Sequence, residues 1–277
     1  MTVLDVLDAS ASAEIAALCA RALDRPPVAD EIRGALFARD QPAIVRGDPN
    51  VGIVAAVPEG AGGYLRLMVV DPRHQGQGHG SALLAAAEGD LTRGHATPAI
   101  VTVGADAPYY LVPGVETTQT AMLCLLERRH YSRQEANFNM DVELASLPED
   151  PVGPTVAGPA DRDEVEAFTL AHWSNWRAEV LRALDKGSLI INRDGGGISG
   201  FCAWNVNRRG LVGPVAVRPD LMGKGTGGPM LLGALHQLRA DGWERIEVSW
   251  VGPIIPYARV GGTVGRVFFV YRKTFQP

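Results

Sequence analysis

Two glycine-rich segments have the spacing of a turn that binds an anion. They comprise Gln75, Gly76, Gln77, Gly78, His79 and Gly80 in one case, and Met222, Gly223, Lys224, Gly225, Thr226 and Gly227 in the other. Each follows an apolar run typical of a strand and opens a pattern typical of a helix. Glycine permits positive φ and close approach of a ligand, and the first N–H groups of a helix are free to donate. Each segment therefore predicts a pyrophosphate site.

Other glycine-rich motifs fit these residues poorly. Alternating glycines by themselves are often only a tight turn. A Walker A loop requires lysine followed by serine or threonine, whereas Lys224 is followed by Gly225. A dinucleotide-binding turn follows the first strand of its domain, whereas these turns follow the third or fourth predicted strand.

The two turns belong to an internal repeat. Pro72 and Pro219 are separated by 147 residues, and so are Gly78 and Gly225. Strand, turn and helix share this offset, which indicates duplication of a domain-sized unit, because solenoid repeats are only about 20–50 residues long.

Both halves show the same predicted order: two helices, a hairpin, a strand, the glycine turn, a helix and closing strand segments. The predicted helices span residues 12–23, 28–38, 81–91, 161–172 and 175–184, and the hairpin strands span 43–46, 51–57, 188–192 and 200–207. We predict one domain over residues 1–147 and a second over 154–277, joined by a proline-rich linker at 148–153.

The composition is that of an ordinary globular protein. Hydrophobic residues make up 46% of the 277 residues, and the formal net charge of −5 gives no electrostatic support for nucleic-acid binding. The apolar runs are too short to span a bilayer, and the N-terminal residues do not form a secretory signal. Cys19, Cys124 and Cys202 lack the spacing of a metal site or a disulfide framework. We therefore expect a cytoplasmic protein that has no metal and no membrane partner.

At the glycine turns the sequence resembles the GNAT superfamily of N-acetyltransferases. The family pattern is a strand ending in Val-x-Pro, then Gln/Arg-x-x-Gly-x-Gly/Ala opening a helix. The first copy, from Val70 to Gly80, matches at every defined position, and the second departs only at Met222. The arrangement looks most like the tandem members of the family, among which mycothiol synthase is the best-known architecture.

The resemblance implies an α/β fold of two tandem GNAT-like domains, each a mixed, mostly antiparallel twisted sheet flanked by helices on both faces. It also implies acetyl-CoA as co-substrate, with the strand backbone pairing with the pantetheine arm and the turn amides holding the pyrophosphate. The implied residues are Met68, Val69, Val70, Gln75, Gly76, Gln77, Gly78, His79, Gly80 and Ser81 in the first half, and Val215, Ala216, Val217, Gly223, Lys224, Gly225, Thr226, Gly227 and Gly228 in the second.

The proton donor implied by the resemblance is a tyrosine on the helix after the fifth strand, four residues before a glycine. Tyr257 precedes Gly261 by four residues, which implies catalysis in the second half with Tyr257 as general acid. The alternative is a tyrosine that only packs at a helix end. In the first half, either Leu126 or Tyr110 corresponds to Tyr257, and we favour Leu126 because it precedes the closing strand directly.

No general base stands out. Arg66 and Met68 in the first half, and Val212 and Pro214 in the second, lie on the strands beside the turns, and none is a carboxylate. Glu247 lies on the following strand but is equally typical of a solvated strand residue. A chain of water molecules is an equally good proton route.

Aromatic residues lie where this superfamily shapes its acceptor pocket. His172, Trp173 and Trp176 separate the first two helices of the second half, and Tyr109 and Tyr110 follow the fifth strand of the first. Packing between helices is the alternative for each of them. We expect an N-acetyltransferase that uses acetyl-CoA and a small amine. The alternative is that one or both halves are non-catalytic acyl-CoA-binding modules with a structural or sensing role.

Overall fold

The computed structural model describes residues 4–38, 40–94 and 96–276. The chain forms two units. The first unit contains residues 4–137 and 268–276, and the second contains residues 138–267.

The first half of the chain supplies seven strands and four helices within the described ranges. In chain order they are β1 (Val6–Leu7), α1 (Ser12–Ala22), α2 (Ala29–Leu36), β2 (Ile44–Asp48), β3 (Gly52–Pro58), β4 (Gly62–Val70), α3 (His79–Thr92), β5 (Ala99–Val103), β6 (Val115–Glu116), α4 (Thr120–Arg128) and β7 (Ser132–Glu143).

The second half repeats most of this order. Its elements are β8 (Thr155–Val156), α5 (Arg162–His172), α6 (Arg177–Asp185), β9 (Leu189–Asp194), β10 (Gly197–Trp204), β11 (Leu211–Val217), α7 (Gly227–Ala240), β12 (Arg245–Val248), α8 (Ile255–Ala258) and β13 (Thr263–Phe275). None of the helices in the described ranges combines the length and the apolarity needed to cross a membrane.

Helices cover both faces of the sheet in the first unit. The strands β1 to β5 lie in chain order, and β4 pairs with β5 in parallel while the earlier pairs are antiparallel. Successive side chains of a strand point to opposite faces. Ile53 and Ala55 of β3 pack with α1 and α2, whereas Val54 and Ala56 pack with α3 and α4.

The second unit has the same layers. Its strands lie in the order β12, β11, β10, β9 and β8, with the one parallel pair of these described strands between β11 and β12. Phe201 and Ala203 of β10 pack with α5 and α6, and Cys202 and Trp204 pack with α7. These layers confirm the predicted α/β fold.

The closing strands exchange between the halves of the sequence. Residues 140–143 of β7 pair with β12 in the second unit, and residues 271–275 of β13 pair with β5 in the first. The units therefore differ from the contiguous domains predicted at 1–147 and 154–277. A strand pattern in the sequence shows that each half ends in a strand, but it does not show which sheet that strand joins.

Candidate active site

The strand before the first glycine turn has an open edge. β4 pairs with β5 only from Gly62 to Leu65, and a bulge at Arg66 shifts its register against β3. Past the bulge, no residue of β4 in the described chain pairs with β5. β11 repeats this arrangement, because its pairing with β12 ends at Val212 and a bulge follows. An open edge of this kind offers backbone groups to an extended ligand.

The carbonyl of Val70 points toward the open edge of β4. The N–H group of Asp71 donates to the carbonyl of Val51 at 2.9 Å, and in a trans peptide the C=O and the following N–H point in opposite directions. The exposed side-chain amide of Gln75 donates to the Val70 oxygen at 3.2 Å. A ligand amide can therefore reach the same carbonyl if Gln75 moves.

The first glycine turn leaves its main-chain N–H groups free. Gly76 and Gly78 have φ of 74° and 89°, and a Cβ atom at either position would meet nothing within 4 Å. α3 begins at His79, and the N–H groups of residues 76–81 donate to no acceptor within the described chain. Free N–H groups at the positive end of a helix dipole form an anion site.

A groove of 360 Å³ joins this turn to the open edge of β4, and we name it the first groove. Eight of the ten residues predicted to bind acetyl-CoA in the first half line it: Met68, Val69, Val70, Gln75, Gly76, Gly78, Gly80 and Ser81. Gln77 and His79 belong to the same turn but do not line the groove. The sequence-predicted strand and turn therefore meet in one space.

The other wall of the first groove comes from residues that the sequence analysis did not identify. Five of them lie on or just before α4: Gln119, Ala121, Met122, Leu125 and Arg128. Ala22 and Leu23 at the end of α1 complete the wall. The signal that could have identified α4 is the spacing of 121, 125 and 128, which places these residues on one helix face.

Asp71 anchors the start of the first turn. Its buried carboxylate accepts hydrogen bonds from the Arg73 side chain at 2.8 and 2.9 Å, from the Arg73 N–H at 3.0 Å and from Arg21 Nε at 2.5 Å. These contacts, those of Arg73 first, hold the pKa of Asp71 well below its usual range. The turn is therefore held by a charged carboxylate at neutral pH.

The second glycine turn has the same backbone but fewer free amides. Gly223 and Gly225 have φ of 75° and 83°. The N–H of Lys224 donates to the Leu221 carbonyl, and the N–H of Gly228 donates to the Gly225 carbonyl, each at 3.2 Å. Two of the amides predicted to hold a second pyrophosphate are therefore already used within the turn.

Comparison with known proteins agrees with this geometry. Residues 34–111 match the family model of the acetyltransferase (GNAT) domain, and this segment contains β4, the first glycine turn and β5. A tandem GNAT protein from the clavulanic acid biosynthesis pathway superposes with a TM-score of 0.67 over 99% of each chain, at 17% identity. This chain is a tandem GNAT-fold protein.

Two further solved GNAT structures have similar folds. A GCN5-related N-acetyltransferase from Sphaerobacter thermophilus superposes with a TM-score of 0.70 at 20% identity, over 99% of this chain and 96% of that one. A GCN5-related glucosamine N-acetyltransferase region of a fungal multi-domain β-N-acetylglucosaminidase superposes with a TM-score of 0.76 at 20% identity. The superposition covers 98% of this chain but only 38% of that fungal protein. No curated protein sequence matches the chain.

In the second GNAT half, α8 ends in a Schellman turn that begins at Tyr257. The N–H of Gly262 donates to the Tyr257 carbonyl at 2.9 Å, and the N–H of Gly261 donates to the Ala258 carbonyl at 3.1 Å. Gly261 has a φ of 84°, the left-handed conformation that this turn requires.

Leu126 begins the same turn in the first GNAT half. The N–H of Tyr131 donates to the Leu126 carbonyl and the N–H of His130 to the Glu127 carbonyl, each at 3.0 Å. His130 takes the left-handed position with a φ of 62°. By backbone hydrogen bonding, Leu126 is therefore the counterpart of Tyr257 in the first half. The 147-residue offset does not hold here, because the first half has a longer segment before this turn.

Tyr257 belongs to the apolar core of the second unit and is 9% exposed. Burial, and to a smaller extent the neighbouring Cys202, raises the pKa of Tyr257 to about 12. The hydroxyl is therefore protonated throughout the neutral range, which is compatible with a proton donor and excludes a base.

The other tyrosine candidates lie in a buried polar cluster of the first unit. Tyr109 and Tyr110 are each 7% exposed, and the Tyr109 hydroxyl donates to Asp40. The Arg66 guanidinium lies 5.5 Å from the centre of the Tyr109 ring and donates to Asp106 at 2.5 Å. These contacts hold the Arg66 guanidinium at the bulge of β4. An arginine side chain has no proton acceptor, so Arg66 is not a general base.

Glu247 is not a solvated strand residue. It is buried, and both of its oxygens accept hydrogen bonds from Arg266, at 2.9 and 2.8 Å. The Asn139 amide donates to one of them at 2.7 Å. A carboxylate held in this way is committed to a charge pair and is poorly placed to take a proton from an amine.

Of the three residues predicted to shape an acceptor pocket in the second half, Trp173 and Trp176 lie together and the His172 ring packs apart from them. The Trp173 indole N–H donates to the Val217 carbonyl at 3.0 Å, and its ring stacks on Trp176 with the centres 5.2 Å apart. The His172 ring packs edge-on against Phe168. Trp173 thus contacts the strand predicted to bind acetyl-CoA, whereas His172 packs on its own helix.

The remaining predicted residues of the second half lie on β11 and in its turn. Val215 pairs with Cys202 and Ala216 with Phe201 of β10. Thr226 directly precedes α7, and Gly227 is the first residue of that helix.

The described part of the chain holds no group of three or more His, Cys, Asp or Glu side chains arranged to bind a metal ion. None of Cys19, Cys124 and Cys202, all of which lie in the described ranges, forms a disulfide.

Proposed function

We propose that the chain is an N-acetyltransferase that moves an acetyl group from acetyl-CoA to a small amine, that the first groove binds acetyl-CoA, and that the second half performs the transfer. The observation that carries this proposal is the continuity of the first groove, which joins the free N–H groups of residues 76–81 to the open edge of β4. The GNAT fold and the match over residues 34–111 support it.

The residues of the first groove suit each part of acetyl-CoA. The N–H groups of residues 76–81 would hold the pyrophosphate, and the Val70 carbonyl would accept a hydrogen bond from the pantetheine arm. Met68, Met122 and Leu125 offer apolar side chains to the aliphatic part of that arm.

Positive charge near the first turn favours a phosphorylated ligand. Arg128 lines the groove. The rings of His74 and His79 flank the turn with their centres 6.0 Å apart and offer ring N–H donors to a phosphate. Arg73 is 69% exposed beside the same turn. Its guanidinium donates to the buried Asp71 carboxylate and still exposes N–H groups that a phosphate can reach.

Acetyl-CoA supplies an acetyl group activated as a thioester. In the transfer the amine nitrogen bonds to the acetyl carbon, the carbon–sulfur bond breaks, and the amine proton balances the departing thiolate. The first groove contributes position rather than proton transfer, since no His, Asp, Glu, Cys, Lys or Tyr is among its described lining residues.

Tyr257 is our proposed proton donor for chemistry in the second half. Its raised pKa keeps the hydroxyl protonated at neutral pH, and its place on α8, four residues before Gly261, is the one that the resemblance implies for the proton donor. This part of the proposal requires acetyl-CoA to bind at the open edge of β11 as well.

A second candidate function is non-catalytic acyl-CoA binding by the first unit. The observation that favours it is Leu126, a buried apolar residue at the position corresponding to Tyr257. The acidic net charge of −5 favours a small cationic amine as acceptor under the catalytic proposal.

One experiment separates the two functions. Purified chain is incubated with acetyl-CoA and a panel of small cationic amines, and free thiol is measured over time, with calorimetry of acetyl-CoA binding in parallel. Amine-dependent thiol release supports the transferase. Binding without release for any amine identifies a binding module, and absence of binding contradicts both functions.

A further inference from the structure

The carbonyl of Val217 points toward the open edge of β11. The N–H group of Arg218 donates to the Ser199 carbonyl at 2.8 Å, on the β10 side. Because the C=O and the following N–H of a trans peptide point in opposite directions, the Val217 carbonyl faces away from β10. It is the counterpart of the Val70 carbonyl at the edge of the first groove.

The Trp173 side chain already holds this carbonyl. Its indole N–H donates to the Val217 oxygen at 3.0 Å, whereas the donor to the Val70 oxygen in the described chain is the exposed side chain of Gln75. In the second turn Met222 takes the place of Gln75 and has no donor to offer.

Trp173 has a direct counterpart in the first unit. Leu23 and Trp173 are the C-cap residues that directly follow α1 and α5. The main-chain N–H of each donates to the carbonyl four residues earlier, at 2.8 Å. Leu23 lines the first groove and carries no polar atom on its side chain. At this position of the fold, the Leu23 side chain leaves the edge of β4 open. The Trp173 side chain instead donates a hydrogen bond to the edge of β11.

We infer that Trp173 competes with the pantetheine arm of acyl-CoA for the edge of β11, so that the second half binds acyl-CoA more weakly than the first groove does. A carbonyl that must give up an indole N–H before it can accept a ligand amide gains little from the exchange. This inference rests on the proposed function, because it takes acyl-CoA as the ligand.

The stack on Trp176 strengthens the competition. The two indole planes are 15° from parallel with their centres 5.2 Å apart, so that moving Trp173 away from the edge also breaks an aromatic contact. The inward-donating amides of Lys224 and Gly228 weaken the neighbouring anion site independently.

The test is calorimetric titration of acetyl-CoA into the full chain and its variants. In the wild type we expect one tight site, abolished by Gly78→Ala, and a second, weaker site. Trp173→Leu should lower the Kd of the second site at least tenfold, a change equivalent to about 1.4 kcal/mol. Gly225→Ala in the Trp173→Leu background should remove the gain.

Two further variants separate the causes. Trp173→Phe keeps an aromatic ring but removes the N–H, so it should tighten the second site by a smaller factor and serves if the leucine variant folds poorly. Trp176→Leu leaves the hydrogen bond to Val217 in place and should tighten the second site least. In the opposite direction, Leu23→Trp should weaken the first site.

Two equally tight sites in the wild type would overturn the inference, as would a second site that is unchanged in both Trp173 variants. Absence of acetyl-CoA binding in the wild type and in every variant would count against the proposed function, whereas a tight first site with a second site that does not respond to the Trp173 variants counts against this inference alone.

Discussion

Asp71 and Arg218 stand at equivalent positions before the two glycine turns and carry opposite charges. Each is bound by the residue two positions later: Asp71 by Arg73 at 2.8 Å, and Arg218 by Asp220 at 2.7 Å. Both turns are thus anchored by an ion pair between residues two positions apart, but the acidic residue comes first in the first turn and the basic residue comes first in the second. The exposed partner is a guanidinium beside the first turn and a carboxylate beside the second, which disfavours a pyrophosphate at the second turn.

Removing the Asp71 carboxylate should alter the dependence of stability on pH. The pKa of Asp71 is lowered in the folded chain, so its contribution is present above the unfolded value of about 4 and is lost as the pH falls below it. Asp71→Asn should therefore lower the urea midpoint at pH 7, and the difference from wild type should shrink below about pH 4. Asp220→Asn, at an exposed site, should cost less at pH 7. A midpoint difference that is constant at every pH would contradict this account.

Gly78→Ala should abolish or strongly weaken acetyl-CoA binding at the tight site without unfolding the chain. The new Cβ would meet no protein atom, but it would occupy the space before the turn where a pyrophosphate must approach. The φ of 89° at Gly78 also disfavours any residue that has a side chain. Gly225→Ala is the matched control, because its φ is 83° and its surroundings are equally open. Calorimetry in which both variants lose the tight site equally would contradict the assignment of that site to the first groove.

Tyr257→Phe should lower turnover by one or more orders of magnitude at saturating acetyl-CoA, since general acids typically contribute about 10²–10⁴-fold. The ring and its packing are retained, so acetyl-CoA binding should be nearly unchanged. Tyr110→Phe is the control, because Tyr110 is the alternative counterpart in the first half and the turn after α4 does not contain it. Full turnover in the Tyr257 variant would exclude Tyr257 from the mechanism and move the chemistry to the first unit.

Glu179→Gln should stabilise the chain at alkaline pH. Burial raises the pKa of Glu179 to about 7, so the folded chain keeps a proton between about pH 4.5 and 7 that the unfolded chain releases, and stability falls as the pH rises through this window. Removal of the charge should raise the free energy of unfolding by about 3 kcal/mol at pH 8 and change it little at pH 4.5. Denaturant unfolding at the two pH values measures this. Glu14→Gln on the exposed face of α1 should show no such difference.

The sequence by itself determined the repeat and the glycine turn at which we propose the first anion site. The shared offset of Pro72 and Pro219 located both turns, and the alternation of glycines up to Gly80 specified their backbone, because only glycine adopts positive φ there at little cost. Patterns of this local kind depend on neighbouring residues alone. The helices and hairpin strands were predicted to within a few residues for the same reason.

Only the tertiary structure decided which groups meet at the two strand edges. Leu23 and Trp173 occupy the same helix-ending position, and no local pattern indicates that one leaves a groove open while the other donates to Val217. Glu247 likewise reads as a solvated residue until Arg266, distant in sequence, is brought against it. The exchange of closing strands follows the same rule, since the alternation within a strand specifies which side chains face the core but does not specify which of two similar sheets the strand joins.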